Sequence, residues 1–234
     1  MSENLAGALI KFLQKKEEEH QKVRTLRQGP YFTASDAGLC IAKSFHRFKG
    51  TDEEGIKSEG LLVVELGNVL HKIIQDAFKG YKETVSEGFL IDKDLRLAGS
   101  LDIYLIEDCK LIEVKTVHDW KFKTMFGRKS EKEPVDHNKL QLGTYAHLLE
   151  INGYTVKSME LWYINRNDGR IKQCEIEMIW RDYAVNYWEN MQDEISHGNK
   201  EGFADHFMVP MYNWECNYCG FANNCEWKKE KGKR

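Results

Sequence analysis

One short strand constrains this chain more than any other feature. Leu111-Ile112-Glu113-Val114-Lys115-Thr116 is apolar enough to run inside a sheet, yet it carries two charges. Residues two apart on a strand share a face, so Glu113 and Lys115 point one way and Val114 the other. Upstream, Gly99-Ser100-Leu101-Asp102-Ile103-Tyr104 reads as a second strand, and pairing of the two sets Asp102 beside Glu113 and Lys115. Two carboxylates and an ammonium among apolar neighbours are costly to bury without a purpose. A hard divalent cation, Mg²⁺ or Mn²⁺, answers that cost because it favours oxygen ligands. The lysine can then orient or help deprotonate a water, and a phosphodiester is a natural electrophile for such a site. On spacing alone, an exposed strand carrying a Glu–Lys salt bridge is an equal alternative. The context favours chemistry: Asp102 follows Gly-Ser, the strand ends just after Lys115, and a later helix carries Gln141 and Tyr145 on one face, four apart.

The elements around this strand define the fold class. Residues 4–27 read as a helix with Leu5, Leu9, Phe12 and Leu13 on one stripe. A second helix runs from about Asp36 to Phe48, with Ser35 or Asp36 as its cap. Gly50–Gly60 is a charged loop, and Leu61–Phe78 a longer helix. Three strands follow, Thr84–Ile91, Leu95–Ile106 and Lys110–Thr116. The Lys-rich residues 119–134, with Gly127 and Pro134, read as a loop or mobile lid. A helix over His137–Asn152 is closed by Gly153. Strands Ser158–Asn165 and Arg170–Ile179 flank the turn Asn167-Asp168-Gly169. The last helix, Trp180–His197, carries Tyr183, Tyr187, Trp188, Met191 and Ile195 as a packing stripe. Strands feeding a crossover helix predict an α/β fold with a mixed central sheet flanked by helices.

Six cysteines need a separate account. Cys109 and Cys174 fall in strand-like segments and read as core or surface thiols. Cys216, Cys219 and Cys225 form a tight cluster, one thiolate short of a tetrahedral site, and Cys40 is the best remaining fourth ligand. Spacing leaves zinc, an iron-sulfur cluster and free thiols open. No apolar run approaches a membrane span and no signal peptide is read, which predicts a cytoplasmic protein.

Taken together, these residues resemble the PD-(D/E)XK nucleases, in particular the RecB-like exonuclease branch. The motifs occur in that family's order: Gly67-Asn68-Val69-Leu70-His71, Asp102, Glu113-Val114-Lys115 and Gln141-Leu142-Gly143-Thr144-Tyr145. Gly-Ser-Leu-Asp replaces the eponymous Pro-Asp, as is usual in that branch. One N-terminal and three C-terminal cysteines around such a core also resemble the iron-sulfur CRISPR-associated exonucleases and the AddB nuclease domain. The resemblance implies a restriction-endonuclease-like core with a peripheral iron-sulfur region. Its implied metal ligands are His71, Asp102, Glu113 and the Val114 carbonyl, with Lys115, Gln141 and Tyr145 completing the catalytic set. It implies a [4Fe-4S] cluster on Cys40, Cys216, Cys219 and Cys225.

The expected organisation is an N-terminal helical region at 1–60, a nuclease core at 61–200, and a cysteine loop with a basic tail at 201–234. The expected activity is metal-dependent exonucleolytic hydrolysis of DNA from single-stranded ends, in CRISPR-associated antiviral defence or recombination and with proteins of those systems as partners. The competing expectation is a nucleic-acid-binding adaptor with weak or no nuclease activity and zinc on the cysteines. A redox protein using the cluster for electron transfer has no partner site to support it. Net charge is -3, from 34 basic and 37 acidic side chains, which excludes binding of a polyanion by a global positive field. A local track fits better: Lys121, Lys123, Arg128 and Lys129 interleave with Trp120, Phe122 and Phe126, so the lid is expected to steer unpaired DNA. Glu65 and Glu87 are read as solvated surface acids.

Overall fold

The computed structural model describes residues 5–28, 31–51, 53, 58–78, 83–86, 88–127, 133–201, 212, 215–217, 219–223 and 225. Helices α1 (Leu5–Gln28), α2 (Ile41–Phe48) and α3 (Ser58–Phe78) precede most of the strands. Strands β1 (Phe32–Thr33), β2 (Thr84–Ser86), β3 (Phe89–Asp92), β4 (Leu97–Ser100), β5 (Ile103–Leu105) and β6 (Lys110–Val117) follow in chain order around them. Then come α4 (Asp119–Phe126), α5 (Asp136–Ile151), β7 (Ser158–Asn165), β8 (Ile171–Ile176) and α6 (Ile179–Glu201).

The main sheet has the order β2-β5-β6-β7-β8 and is mixed. β5 and β6 form an antiparallel hairpin, whereas β6 and β7 run parallel because α4 and α5 carry the chain across between them. A smaller sheet, β1-β4-β3, includes β1 from the N-terminal region. The expected α/β class with helices around a mixed sheet is what forms, with this second sheet added.

Alternation along β6 divides the core. Leu111 joins the layer under α5 and α6 with Leu142, Leu148, Leu161, Tyr163 and Trp188. Ile112 and Val114 face the other way, against Ile103, Leu105, Ile164 and the α3 residues Ile74 and Phe78. Truncating a core side chain such as Leu111 to alanine typically costs about 2–5 kcal/mol. Two glycines permit the close packing. A Cβ on Gly143 would lie 2.1 Å from the Trp180 carbonyl, where α5 meets α6. A Cβ on Gly99 would lie 2.7 Å from the Tyr145 ring.

Several expectations change. The long strand Leu95–Ile106 is two strands in two sheets, broken at Leu101–Asp102. Thr84–Ile91 likewise divides into β2 and β3. The helix expected from Asp36 starts at Ile41, after a 3-10 turn over Ala34–Asp36. Asp36 does not cap it; its buried carboxylate pairs with Arg47 at 2.5 Å and with Lys43 at 3.4 Å. Cys109 sits in the β5–β6 turn at φ +50°, not in a strand. In α1, Leu13 is buried but Leu9 and Phe12 are exposed. On α6, Trp188 and Met191 fill the core while Tyr183 is half exposed. Glu65 is not simply solvated, since it pairs with Lys16 of α1. Glu87 lies outside the described residues.

The expected lid is half corrected. Residues 119–126 form α4, capped by His118, whose ring accepts a hydrogen bond from the Trp120 N–H. Phe122 and Met125 are buried, and Phe126 packs on Phe122 and Tyr163, so these rings serve the core and not base stacking. Asp119 ties the helix to Asn165 and Arg170. Trp120 alone of the three expected aromatics is strongly exposed, at 71%. Arg128, Lys129 and the C-terminal basic tail lie outside the described residues.

Candidate active site

The break at Leu101–Asp102 creates the site. β5 pairs with β6 only as far as Ile112, which leaves the following backbone of β6 without a strand on that side. Asp102 takes the strand's place: its Oδ2 accepts the Val114 N–H at 2.8 Å. Its Oδ1 faces α3, 3.1 Å from His71 Nδ1 and 3.4 Å from Gln75 Nε2, which donates to it. His71 and Gln75 are four apart on α3 and so reach the same carboxylate. Gln75 was not singled out by sequence reasoning; its spacing from His71 was the available signal.

Glu113 and Lys115 project toward α5. Lys115 Nζ donates to Glu113 Oε1 at 2.8 Å and to Gln141 Oε1 at 2.6 Å. Gln141 Nε2 donates to Glu113 Oε1 at 3.0 Å and to the Tyr145 hydroxyl at 3.3 Å. Glu113 Oε1 therefore has two donors. Oε2 of the same carboxylate is buried with no hydrogen-bond partner among the described residues.

The electrostatics separate the two acids. Burial, reinforced by the Asp102 charge, pushes the Glu113 carboxyl up to about 7 despite Lys115. Burial acts on Asp102 too, but hydrogen bonds from His71 and Val114 and the charges of His71 and Lys115 outweigh it and hold the carboxyl below its usual range. His71 is raised: burial opposes its charge, and Asp102 more than compensates. An orphaned, desolvated carboxylate oxygen beside an ionised aspartate is a natural place for a cation. The donor set fits Mg²⁺ or Mn²⁺ in kind. Among the described residues, no three His, Cys, Asp or Glu side chains already converge in metal-holding geometry.

The structure therefore brings His71, Asp102, Glu113, Lys115, Gln141 and Tyr145 into one connected set, with Val114 joined through its N–H. Lys121 and Lys123 stand on the exposed side of α4, and Lys123 is paired with Asp119 at 2.6 Å.

The cysteines occupy a second place. Cys40, Cys216, Cys219 and Cys225 line one cavity with His46, Glu215 and Phe221. All are free thiols. Buried Glu215 spans the closure: Oε1 accepts the Cys40 N–H at 2.7 Å and Oε2 the Tyr212 N–H at 2.8 Å. Burial, with smaller contributions from Glu215 and Cys219, pushes the Cys40 thiol up to about 11. Four thiols around one space suit a soft metal centre in kind, although they surround the space without meeting in it.

Residues 75–226 match the family model described as the PD-(D/E)XK nuclease superfamily. No curated protein matches the chain. Among solved structures, SSO0001 is similar at 23% identity and a TM-score of 0.62, over 94% of this chain and 97% of that one, a likeness of fold. An alkaline exonuclease, LHK-Exo from Laribacter hongkongensis, aligns at 14% identity and a TM-score of 0.47, over 74% of this chain and 93% of that one. Its complex with dAMP aligns at 14% and 0.49, over 73% and 90%. Among the described residues, no helix is long and apolar enough to cross a membrane.

Proposed function

The chain belongs to the PD-(D/E)XK nuclease superfamily, and from that premise we propose that it is a metal-dependent deoxyribonuclease of the RecB-like branch. The observation that carries this reading is the buried Glu113 Oε2, without a hydrogen-bond partner among the described residues, beside Asp102 and Lys115. Asp102 and Glu113, with His71 and the Val114 carbonyl, would hold Mg²⁺ or Mn²⁺. The ion would neutralise charge on the phosphodiester and act as a Lewis acid. The chain's own groups do the rest. Lys115 orients the attacking water and offsets the negative charge that develops on the phosphate. Gln141 keeps Lys115 and Glu113 in register, and Tyr145 anchors Gln141. His71 and Gln75 fix the rotamer of Asp102.

The finer reading is an exonuclease acting on single-stranded DNA ends, with residues 61–200 as the nuclease core. Lys121, Lys123, Arg128 and Lys129 would supply its basic track. The cysteine cavity supports a structural [4Fe-4S] cluster on Cys40, Cys216, Cys219 and Cys225, joining residues 1–60 to residues 201–234 as in CRISPR-associated or AddB-type nucleases. Such a protein would work in the cytoplasm, in defence or recombination. The test is the product pattern from end-labelled single- and double-stranded DNA, with Mn²⁺ and with EDTA. Metal-dependent shortening of single strands from an end is expected. Binding without cleavage under any divalent cation would favour an adaptor instead.

A further inference from the structure

Independently of the nuclease reading, we infer that the outer face of the α1–α3 helix pair is a dimer interface. Its occupant is a second copy of this chain, the two pairs closing as a four-helix bundle about a two-fold axis. α3 has two faces. One carries Ile74 and Phe78 into the core against β6 and sets His71 and Gln75 against Asp102. The other carries Leu62, Leu66, Val69 and Ile73, at intervals of four, three and four, and all four are exposed. On a helix that faces water the outer stripe is normally charged and polar. Here it alternates as the a and d positions of a heptad do, the seam by which one helix meets another. α1 extends the face. Leu9 and Phe12 are exposed and share an edge of α1 with Lys16. Lys16 pairs with Glu65, which lies one turn from Leu62 and from Val69 on α3. That ion pair lays the α1 row beside the α3 seam.

Area, symmetry and charge all select a second copy. The six side chains are 46 to 63% exposed and together show roughly 600 Å² of apolar surface, the upper end of the largest patch on a typical monomer. Each partner of a standard interface buries roughly 800 Å², and this face supplies most of it. The seam is self-complementary. With a two-fold axis crossing it between Leu66 and Val69, Leu66 meets Val69 of the partner subunit, and Leu62 meets Ile73 of the partner subunit. Glu65 and Lys72 stand at the g positions, just before Leu66 and Ile73, and antiparallel helices bring g against g. Glu65 therefore faces Lys72 of the partner subunit, twice over by symmetry. Lys72 is exposed, in a 3.5 Å pair with Asp76. A parallel pairing would instead set Glu65 against Leu70 and Lys72 against Ala77, leaving both charges unmatched. His71 and Gln75 lie on the sheet side of α3, away from the seam, so each copy keeps its own complete catalytic cluster.

The test is analytical sedimentation of the full chain over about a hundredfold range of concentration, with the melting temperature followed across the same range. Wild type should sediment as a dimer and melt at a temperature that rises with concentration. Leu66→Glu and Val69→Lys each place a charge at the centre of the seam. Each should raise the dimer dissociation constant about a hundredfold or more, the scale of a hot-spot loss. Both positions are exposed in the single chain, so each variant should keep its helical circular dichroism and lose the concentration dependence of its melting. Mixing the two variants should restore the dimer. In the antiparallel register the two new charges, opposite in sign, then face each other, and the remaining Leu66 and Val69 still meet. A mixture that stays monomeric would overturn the antiparallel pairing. A dimer that survives Leu66→Glu would place the interface elsewhere and overturn this one. A wild-type protein that is monomeric throughout would overturn it as well, leaving the face to another segment of the chain or to a different protein.

Discussion

The catalytic cluster and the cysteine cavity each gather reactive side chains in one place, but they are closed differently. Glu113 and Lys115 on β6 meet Gln141 and Tyr145 on α5, and Asp102 arrives from the break between β4 and β5. The cavity is closed by Cys40 and Glu215, which are 175 positions apart. The first cluster is strained in electrostatics and local in sequence. The second is long-range, and burial raises the Cys40 and Cys219 thiols, which a bound centre would have to deprotonate. The difference suggests that the first cluster is built for chemistry at the expense of stability, and the second for stability itself.

The sharpest way to break this comparison is to remove a catalytic group and follow both activity and melting. Lys115→Ala should lower cleavage by roughly a thousandfold or more, the scale of losing a preorganised charge at the reacting phosphate. Its melting temperature should stay near that of wild type. Full activity in a folded Lys115→Ala protein would mean the cluster is structural after all.

Next in size is the cavity. Cys40→Ser or Cys216→Ser should lose iron and acid-labile sulfide together and melt well below wild type, because binding energy at such a centre is folding energy. Stoichiometric zinc without sulfide in the wild-type protein would replace the cluster by a zinc site. Glu215→Gln should have a milder effect. It keeps an acceptor for one of the two N–H groups and should destabilise by about 1–3 kcal/mol, the range for an unsatisfied buried polar group.

The smallest and most telling effect has the opposite sign. The Glu113 carboxyl is raised from 4.5 to about 7, so the folded state prefers its protonated form. Its contribution to stability is present below the unfolded pKa and is lost as pH rises toward 7. Glu113→Gln in EDTA at pH 8 should therefore melt slightly above wild type while being inactive. Stability of Glu113→Gln should also vary less with pH between 5 and 8. Equal pH dependence in the two proteins would show that Glu113 is not desolvated as described.

The catalytic cluster was legible in the sequence because its spacing is local. Glu113 and Lys115 share a strand face at a period of two, and Gln141 and Tyr145 a helix face at a period of four. The break at Asp102 was not legible, because the apolar residues on both sides of Gly99, Ser100 and Asp102 carry one strand pattern across it. Only pairing reveals that β4 and β5 leave for different sheets. α4 was hidden by its composition. Lysines and the nearby Gly127 and Pro134 suggest a loop, yet Phe122, Met125 and Phe126 have helical spacing and the core takes them. β1 has two residues, too few for any period to register. Gln75 was one helical turn from His71, already singled out, and that turn was the missed signal.

The most direct test of the central claim is Mn²⁺ titration by calorimetry in two buffers of different protonation enthalpy, for wild type and Glu113→Gln, at pH 6 and pH 8. If Asp102 and the orphaned Glu113 oxygen form the cation site, wild type binds Mn²⁺ more tightly at pH 8 than at pH 6. Binding near pH 6 should then release protons from both Glu113, raised to about 7, and His71, raised by Asp102, since each must lose its proton to become a ligand. Glu113→Gln should lose most of the affinity and the share of the proton release that Glu113 supplies. Undiminished Mn²⁺ binding by Glu113→Gln, with no change in proton release, would contradict the account.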